Sequence, residues 1–206
     1  MTLSLWLSLL GASTLISFTP GAGAINTMTN SLNSGFRRSL WGIMGQQAAL
    51  LIHVMVVAAG VGLLVSRSPM AFTLIRYAGA AYLVYLGVRL ILAKAQGADD
   101  IAVQGRESAV AMFRRGLWVN LLNPKAIVFF LAFTPQFIRL DAPALPQYLI
   151  FIGTIIVVDI VVMWLFFAAS AKSFSRFTAT ERGQRILNLC FGTLFIFVAA
   201  LLIFIH

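Results

Sequence analysis

The densest group of polar side chains in an apolar stretch consists of Asn120, Asn123 and Lys125, with Pro124 between the last two. Asn120 and Asn123 lie three residues apart, so they share one face of a helix. Asn123 can cap a new helical piece that has Pro124 at its first position, which puts Lys125 in the first turn. Free amides and an ammonium at a helix N-terminus suit a carboxylate. Alternatively, Lys125 extends its ammonium to the cytoplasmic face about two turns away.

Two ionisable residues lie within other apolar runs. Asp159 is flanked by Ile155–Val158 and Ile160–Val162, and a carboxylate is costly in lipid unless it has a function or a partner. Three roles stay open for it: an ion pair with Lys125, a proton carrier, or a protonated carboxyl in a structural hydrogen bond. His53 is a second proton-coupling candidate, or it satisfies a backbone carbonyl.

Two Phe-Thr-Pro triplets predict irregular backbone at Thr19, Pro20 and Gly21 and at Thr134 and Pro135. Proline removes an amide donor and clashes with the carbonyl four residues earlier. In lipid the freed carbonyls must find a neighbour, water or substrate. We expect a functional break at Pro20-Gly21 and consider one at Pro135, near the outer end; packing kinks are the alternative.

The composition predicts an all-α membrane protein. Of the 206 residues, 60% are hydrophobic and 10% are charged, far from the typical soluble composition. A helix needs about 20 apolar residues to cross a bilayer. Six stretches qualify as transmembrane helices: Leu3–Ile25, Gly42–Val65, Phe72–Leu92, Leu117–Leu140, Tyr148–Ala171 and Ile186–Ile205.

The net charge of +9 predicts orientation rather than nucleic-acid binding, because the Lys and Arg residues lie in short loops. The loops on one side of the membrane contain two positive residues, Arg67 and Arg139. The loops on the other side contain ten: Arg37, Arg38, Lys94, Arg106, Arg114, Arg115, Lys172, Arg176, Arg182 and Arg185. Positive residues stay cytoplasmic, so both termini face outside. We expect a multi-pass protein of the bacterial inner membrane.

A single transmembrane domain is expected over residues 1–206, with halves 1–94 and 112–206 joined by a polar linker, 95–111. Three helices per half make the second half enter the membrane from the opposite side, and this predicts two inverted three-helix repeats. Gln46 follows Gly45 and Gly42 on what is predicted to be a close-packed helix face. The small bundle allows a homodimer without requiring one.

Several motifs together resemble the LysE/RhtB family of amino-acid exporters. They are Pro20-Gly21, Asn30-Ser31-Leu32, Gly35, Gly42, Gly45, Tyr77–Gly87, Phe113–Gly116, Asn120–Ala126, Phe129-Phe130 and Thr134–Phe137. The resemblance implies proton-driven export of amino acids or close derivatives. Because Asp159 is the one acidic residue deep in a predicted span, a second substrate cation has no obvious partner, and this favours neutral amino acids of the homoserine/threonine type. This chain has Ala22 where the family often has a second proline, and Gln46 near a position where many members have an acid. Proton coupling through Gln46 is therefore in doubt.

The residues favour an exporter of small zwitterions. Lys125 and the amides after Pro124 are expected to hold the carboxylate. Thr19, Asn120, Asn123 and the carbonyls freed by Pro20 are expected to hold the ammonium, with Asp159 linked to protons. The alternative is an inorganic-cation exporter of the same architecture, although one Cys and two His are few soft ligands. A membrane enzyme would need a cluster of catalytic residues, and the sequence contains no motif of that kind. No cofactor or metal is expected.

Overall fold

The computed structural model describes residues 1–67, 69–93, 107–139, 141–178 and 180–204, and every regular element in these ranges is a helix. The elements in chain order are α1 Leu3–Phe18, α2 Ala22–Ser34, α3 Leu40–Arg67, α4 Pro69–Leu92, α5 Ala109–Leu121, α6 Pro124–Phe137, α7 Ala144–Val161, a π-helix Val162–Ala168, α8 Ala171–Thr178 and α9 Glu181–Phe204. Residues 95–106 of the predicted linker lie outside the described ranges, and its last three residues belong to α5, which begins at Ala109; the division into two halves stays a prediction.

The first predicted span is two helices, α1 and α2, that meet at an angle of 59°. Pro20 has no amide hydrogen to continue α1, and Gly21 is extended at φ −150° and ψ −164° as the residue that precedes α2. The predicted break is therefore confirmed. The predicted end at Ile25 is wrong, because α2 continues to Ser34 and stops at Gly35, whose φ of 93° favours glycine.

The fourth predicted span is also two helices, α5 and α6, which meet at 60°. The side chain of Asn123 accepts a hydrogen bond from the Lys125 amide over 3.1 Å, and Pro124 takes the first position of α6. This confirms the predicted cap. The span begins earlier than Leu117, because Ser108 caps α5.

Pro135 does not break α6, so the break considered there is wrong. The helix runs through Pro135 and ends two residues later, at Phe137. A proline in the last turn removes one amide donor and leaves little helix beyond it to bend. The side chain of Gln136 donates a hydrogen bond to the carbonyl of Ala132 over 2.8 Å in the same turn.

Three stretches of the described residues are long and apolar enough to cross a membrane, and up to five are if each bent pair is one span. The three are Leu40–Gly60, Ala144–Ala168 and Glu181–Phe204, which match the second, fifth and sixth predicted spans closely. The third predicted span coincides with α4, which is not among the five. The chain is thus a helical membrane protein, and the number six stays a prediction.

The helices pack in a regular pattern around a core of aliphatic and phenylalanine side chains. In that pattern α5 and α6 pack against α3, α1 packs against α7, α2 packs against the π-helix, and α4 packs against α9. Leu9, Leu50, Phe129, Phe133 and Phe151 are buried at the centre. Both broken helices therefore lie against long neighbours that fix the positions of their broken ends.

Glycines bring α3 and α5 into backbone contact. A Cβ atom at Gly116 would meet the carbonyl oxygen of Gly42, and one at Gly45 would meet the carbonyl oxygen of Phe113. The absence of a side chain lets two helices approach this closely. The break at Asn123 is held close to α3 for this reason.

Candidate substrate site

A small open cavity of about 60 Å³ lies between the two helix breaks. Its walls come from α1, α2, α3, α5, α6, α7 and the first turn of the π-helix. Six predicted site residues line this cavity, namely Gly21, Gln46, Asn120, Asn123, Lys125 and Asp159. The apolar remainder of the wall includes Leu50, Phe129, Phe130 and Met163. A largely apolar pocket with a few converging polar groups is the usual form of a small-molecule site.

Lys125 reaches from the start of α6 to the end of α1. Its ammonium donates hydrogen bonds to the carbonyl of Thr19 over 2.6 Å and to that of Ile16 over 3.2 Å. The Ile16 carbonyl lies four residues before Pro20, so it is the acceptor that proline cannot serve. The ammonium therefore points into the protein, and the alternative of an ammonium at the cytoplasmic face is wrong.

Asp159 accepts two hydrogen bonds from helices of the first half. Ser17 on α1 donates to its Oδ1 over 3.1 Å, and Gln47 on α3 donates to its Oδ2 over 2.7 Å. Its carboxylate and the Lys125 ammonium line the same cavity, but they are not within the 4.0 Å of an ion pair. The direct ion pair, one of the three roles that the sequence left open, is thus not formed, and the role of Asp159 in proton coupling stays a prediction.

The amide side chains connect α3 to both broken helices. Asn120 on α5 donates a hydrogen bond to the carbonyl of Gln46 over 3.0 Å. The buried side chain of Gln46 donates to the Gly23 carbonyl and to the Thr27 hydroxyl, each over 3.1 Å. A movement of α2 relative to α3 would have to break these last two bonds.

His53 lies outside the cavity and contacts the end of α5, at the second helix break. Its Nε2 lies 3.2 Å from the carbonyl of Leu121, the last residue of α5, and its ring stacks on Phe130. The last carbonyls of a helix have no partner within that helix. The position fits the interpretation that His53 satisfies a backbone carbonyl, and its coupling role stays a prediction.

The remaining predicted residues support the breaks rather than line the cavity. Thr19 contributes its carbonyl to Lys125, while its hydroxyl donates to the carbonyl of Leu15 over 2.9 Å. Pro20 and Pro124 set the backbone at the breaks. Thr134 is fully buried in α6, and within the described part of the chain its hydroxyl has no partner; Pro135 follows it.

Several polar contacts near the cavity involve residues to which the sequence assigned no site role. The guanidinium of Arg115 on α5 donates to Asn26 over 3.0 Å, to Asn30, and to Glu107 over 2.5 Å. Asn26 and Asn30 are four residues apart on α2 and buried. That spacing is a helix signal, but the segment is too polar to be predicted as a membrane helix.

A helical membrane protein with two broken helices beside a cavity that contains a few polar groups has the architecture of a transporter. The family model of the LysE type translocators matches residues 14–205, and the chain belongs to this family. The family predicted from the motifs is therefore confirmed. Membership indicates a transporter rather than an enzyme.

Curated relatives match over nearly the whole chain. A homoserine/homoserine lactone efflux protein of Salmonella typhimurium (strain LT2) is 45% identical over 203 residues, which cover 98% of this chain and 97% of the relative. The protein of that name in Salmonella typhi is 44% identical over the same shares. A protein of Vibrio cholerae serotype O1, called an uncharacterized membrane protein, is 36% identical over 95% of this chain and 94% of its own length. No solved structure matches the chain significantly.

Proposed function

We propose that this protein exports homoserine and closely related small amino acids or their derivatives across the bacterial inner membrane. The observation that carries the proposal is the cavity between the two helix breaks, where Lys125 and Asp159 place opposite charges around a small space. A relative with 45% identity over almost its full length is named for efflux of homoserine and its lactone. The two lines of support are independent.

The charge pattern of the cavity suits a zwitterion. The start of α6 offers the Lys125 ammonium, and the Ala126 amide in the same turn donates to no acceptor among the described residues. These groups are suited to a carboxylate. The Ile16 carbonyl at the end of α1 is suited to an ammonium, with Asp159 and the side-chain oxygen of Asn120 as further acceptors at the same cavity wall.

The lining also favours an amino acid over an inorganic cation. Asp159 is the acidic member of the cavity wall, whose other members include neither a thiol nor an imidazole. Hard cations require several oxygen ligands of high charge, and soft cations require sulfur or imidazole. A cation exporter of the same architecture stays the second hypothesis. A transported ion is bound only weakly, so it needs fewer ligands than a permanently bound metal does.

Transport by alternating access is supported by the symmetry of the packing. The contact of α5 with α3 corresponds to that of α1 with α7, and the contact of α6 with α3 corresponds to that of α2 with the π-helix. Two inverted repeats related by a two-fold axis would produce this correspondence. We infer secondary-active export with both termini outside, with Asp159 as the proton-linked group.

Efflux from proteoliposomes tests the proposal. Vesicles loaded with labelled homoserine or threonine, or with Zn²⁺, are diluted with and without a proton gradient. We expect efflux of homoserine that depends on the protein and is accelerated by the gradient. Absence of homoserine efflux together with release of the metal would establish the rival function.

Two variants test the site in the same assay. Lys125→Met should reduce homoserine efflux at least about tenfold, because a charged hydrogen bond contributes about 1.5–3 kcal/mol. The matched control is Lys172→Met, which removes an exposed lysine near the start of α8. Asp159→Asn should remove the response to the gradient, and a retained response would exclude Asp159 as the proton-linked group.

A further inference from the structure

The acceptors at the end of α1 are already occupied by a cation of the protein itself. Lys125 places its ammonium on the carbonyls of Thr19 and Ile16, as a bound amine would be placed. A protein ammonium and the ammonium of an amino acid present the same three donors. The structure therefore contains a chemical model of how an amine binds at this break.

The surroundings of that ammonium favour a cation. The two carbonyls lie in the last turn and the cap of α1, where the partial charge of the helix is negative. Gly21 lies beside this ammonium, since a Cβ there would be in van der Waals contact with Cε at 3.5 Å and Nζ at 3.6 Å of Lys125. The break thus provides acceptors for an amine at one edge of the cavity.

We propose that Lys125 is an internal occupant of the subsite for the substrate ammonium. The incoming ammonium displaces Lys125 from the carbonyls of Ile16 and Thr19, and the displaced Nζ binds the acyl oxygens of the same substrate molecule. This inference rests on the proposed function and adds to it the order in which the two charges of the substrate are recognised. Lys125 then joins α1 to α6 only while the site is empty.

The exchange makes the site selective for amines that also carry an acyl group. The ammonium of an amino acid replaces the Lys125 ammonium on the carbonyls, and the carboxylate of the same amino acid then binds Lys125. Every charge therefore keeps a partner. A lactone provides its ester carbonyl as a weaker acceptor. A simple amine would leave the Lys125 ammonium without a partner in the membrane interior, which is costly.

Binding to purified protein with two ligands tests this selectivity. The probes are labelled homoserine and 3-aminopropan-1-ol, which is homoserine without its carboxyl group. In the unaltered protein we expect homoserine to bind and the amino alcohol to bind at least about 100-fold more weakly. Lys125→Met should weaken the binding of homoserine about tenfold, because its carboxylate loses a partner. The same variant should strengthen the binding of the amino alcohol about tenfold, because the Lys125 ammonium no longer competes for the two carbonyls.

Further variants keep the test decisive. Lys125→Gln should act as Lys125→Met does, Lys125→Arg should keep the preference for homoserine, and Lys172→Met should change neither affinity. A gain of amino alcohol binding cannot arise from misfolding. Equal loss of both ligands in Lys125→Met and Lys125→Gln would overturn the inference even though the proposed function stands. Absence of homoserine binding and efflux in the unaltered protein would overturn the proposed function itself.

Discussion

Gln47 donates a hydrogen bond to Asp159 over 2.7 Å and so joins α3 of the first half to α7 of the second. Ser17 on α1 supplies a donor to the other carboxylate oxygen over 3.1 Å. The carboxylate is therefore held from two directions at the cavity wall. Its position depends on residues more than 100 positions away in the sequence.

Gln47→Leu should reduce homoserine efflux about tenfold while leaving the protein inserted. The change removes a hydrogen bond to a charged group, which contributes about 1.5–3 kcal/mol. The matched control is Gln136→Leu, which removes only a bond to the Ala132 carbonyl in its own helix. Initial efflux rates at equal protein amounts measure the effect, and equal rates for the two variants would contradict it.

Gly116→Ala should lower the free energy of unfolding by about 1–3 kcal/mol, as overpacking does elsewhere. The new Cβ would meet the Gly42 carbonyl oxygen, and backbone cannot move aside as a side chain can. Gly153→Ala is the control, because nothing lies within 4 Å of a Cβ built there. Thermal unfolding in detergent compares the two, and similar midpoints would show that α3 and α5 are not in close contact.

Arg115→Met should lower the free energy of unfolding by about 2–4 kcal/mol, because Asn26, Asn30 and Glu107 all lose a charged donor. Arg115→Lys should recover part of this loss, since an ammonium cannot reproduce the planar fork. Arg114→Met changes an exposed neighbour and should cost under about 0.5 kcal/mol. Denaturation in detergent gives the ranking, and equal effects at 114 and 115 would refute the contact.

Gln147→Leu should loosen the loop between α6 and α7. The buried side chain accepts from the Arg139 amide over 2.9 Å and donates to the carbonyls of Arg139, Ala142 and Pro143. We expect a loss of about 1–3 kcal/mol and faster proteolysis at this loop. Gln147→Glu places a buried carboxylate against the three carbonyl oxygens, so it should lose at least as much as leucine does; a smaller loss would argue against this account.

Stability at acid pH tests the ion pair in the same loop. The hydrogen bond from Arg139 lowers the pKa of Asp141 from its ordinary value, so the pair stabilises the fold above that ordinary value. This contribution is lost as the pH falls through the lowered pKa. Asp141→Asn should unfold slightly earlier than the unaltered protein at a pH of about 7, and this difference should shrink as the pH falls below about 4. A difference independent of pH would exclude the carboxylate as its cause.

The positions of the helix breaks can be predicted from neighbouring residues alone, whereas the side-chain contacts of the site depend on residues distant in the sequence. Pro20 and the pair Asn123-Pro124 interrupt a helix for reasons contained in two or three residues, and both breaks are where the sequence places them. Pro135 follows the same rule but lies in a last turn, where a missing amide has little effect. The sequence could not decide whether Pro135 breaks its helix, because the rule does not say where a helix would have ended anyway.

The contacts of the ionisable residues are not predictable from spacing. Lys125 and Asp159 each have a helix position that can be read from the sequence, but their partners lie on α1 and α3. The sequence left open whether they pair with each other. The structure satisfies each one separately, because the broken end of α1 offers carbonyls nearer to Lys125.

The polar composition of α2 also affects how the protein is made. A segment with Asn26, Asn30 and Asn33 is too polar to be released into lipid alone. Its buried amides meet Arg115, which the ribosome adds 85 or more residues later. The contacts of these two amides with Arg115 can therefore form only after the second half of the chain has begun to be made, although α2 is among the first segments to be synthesised.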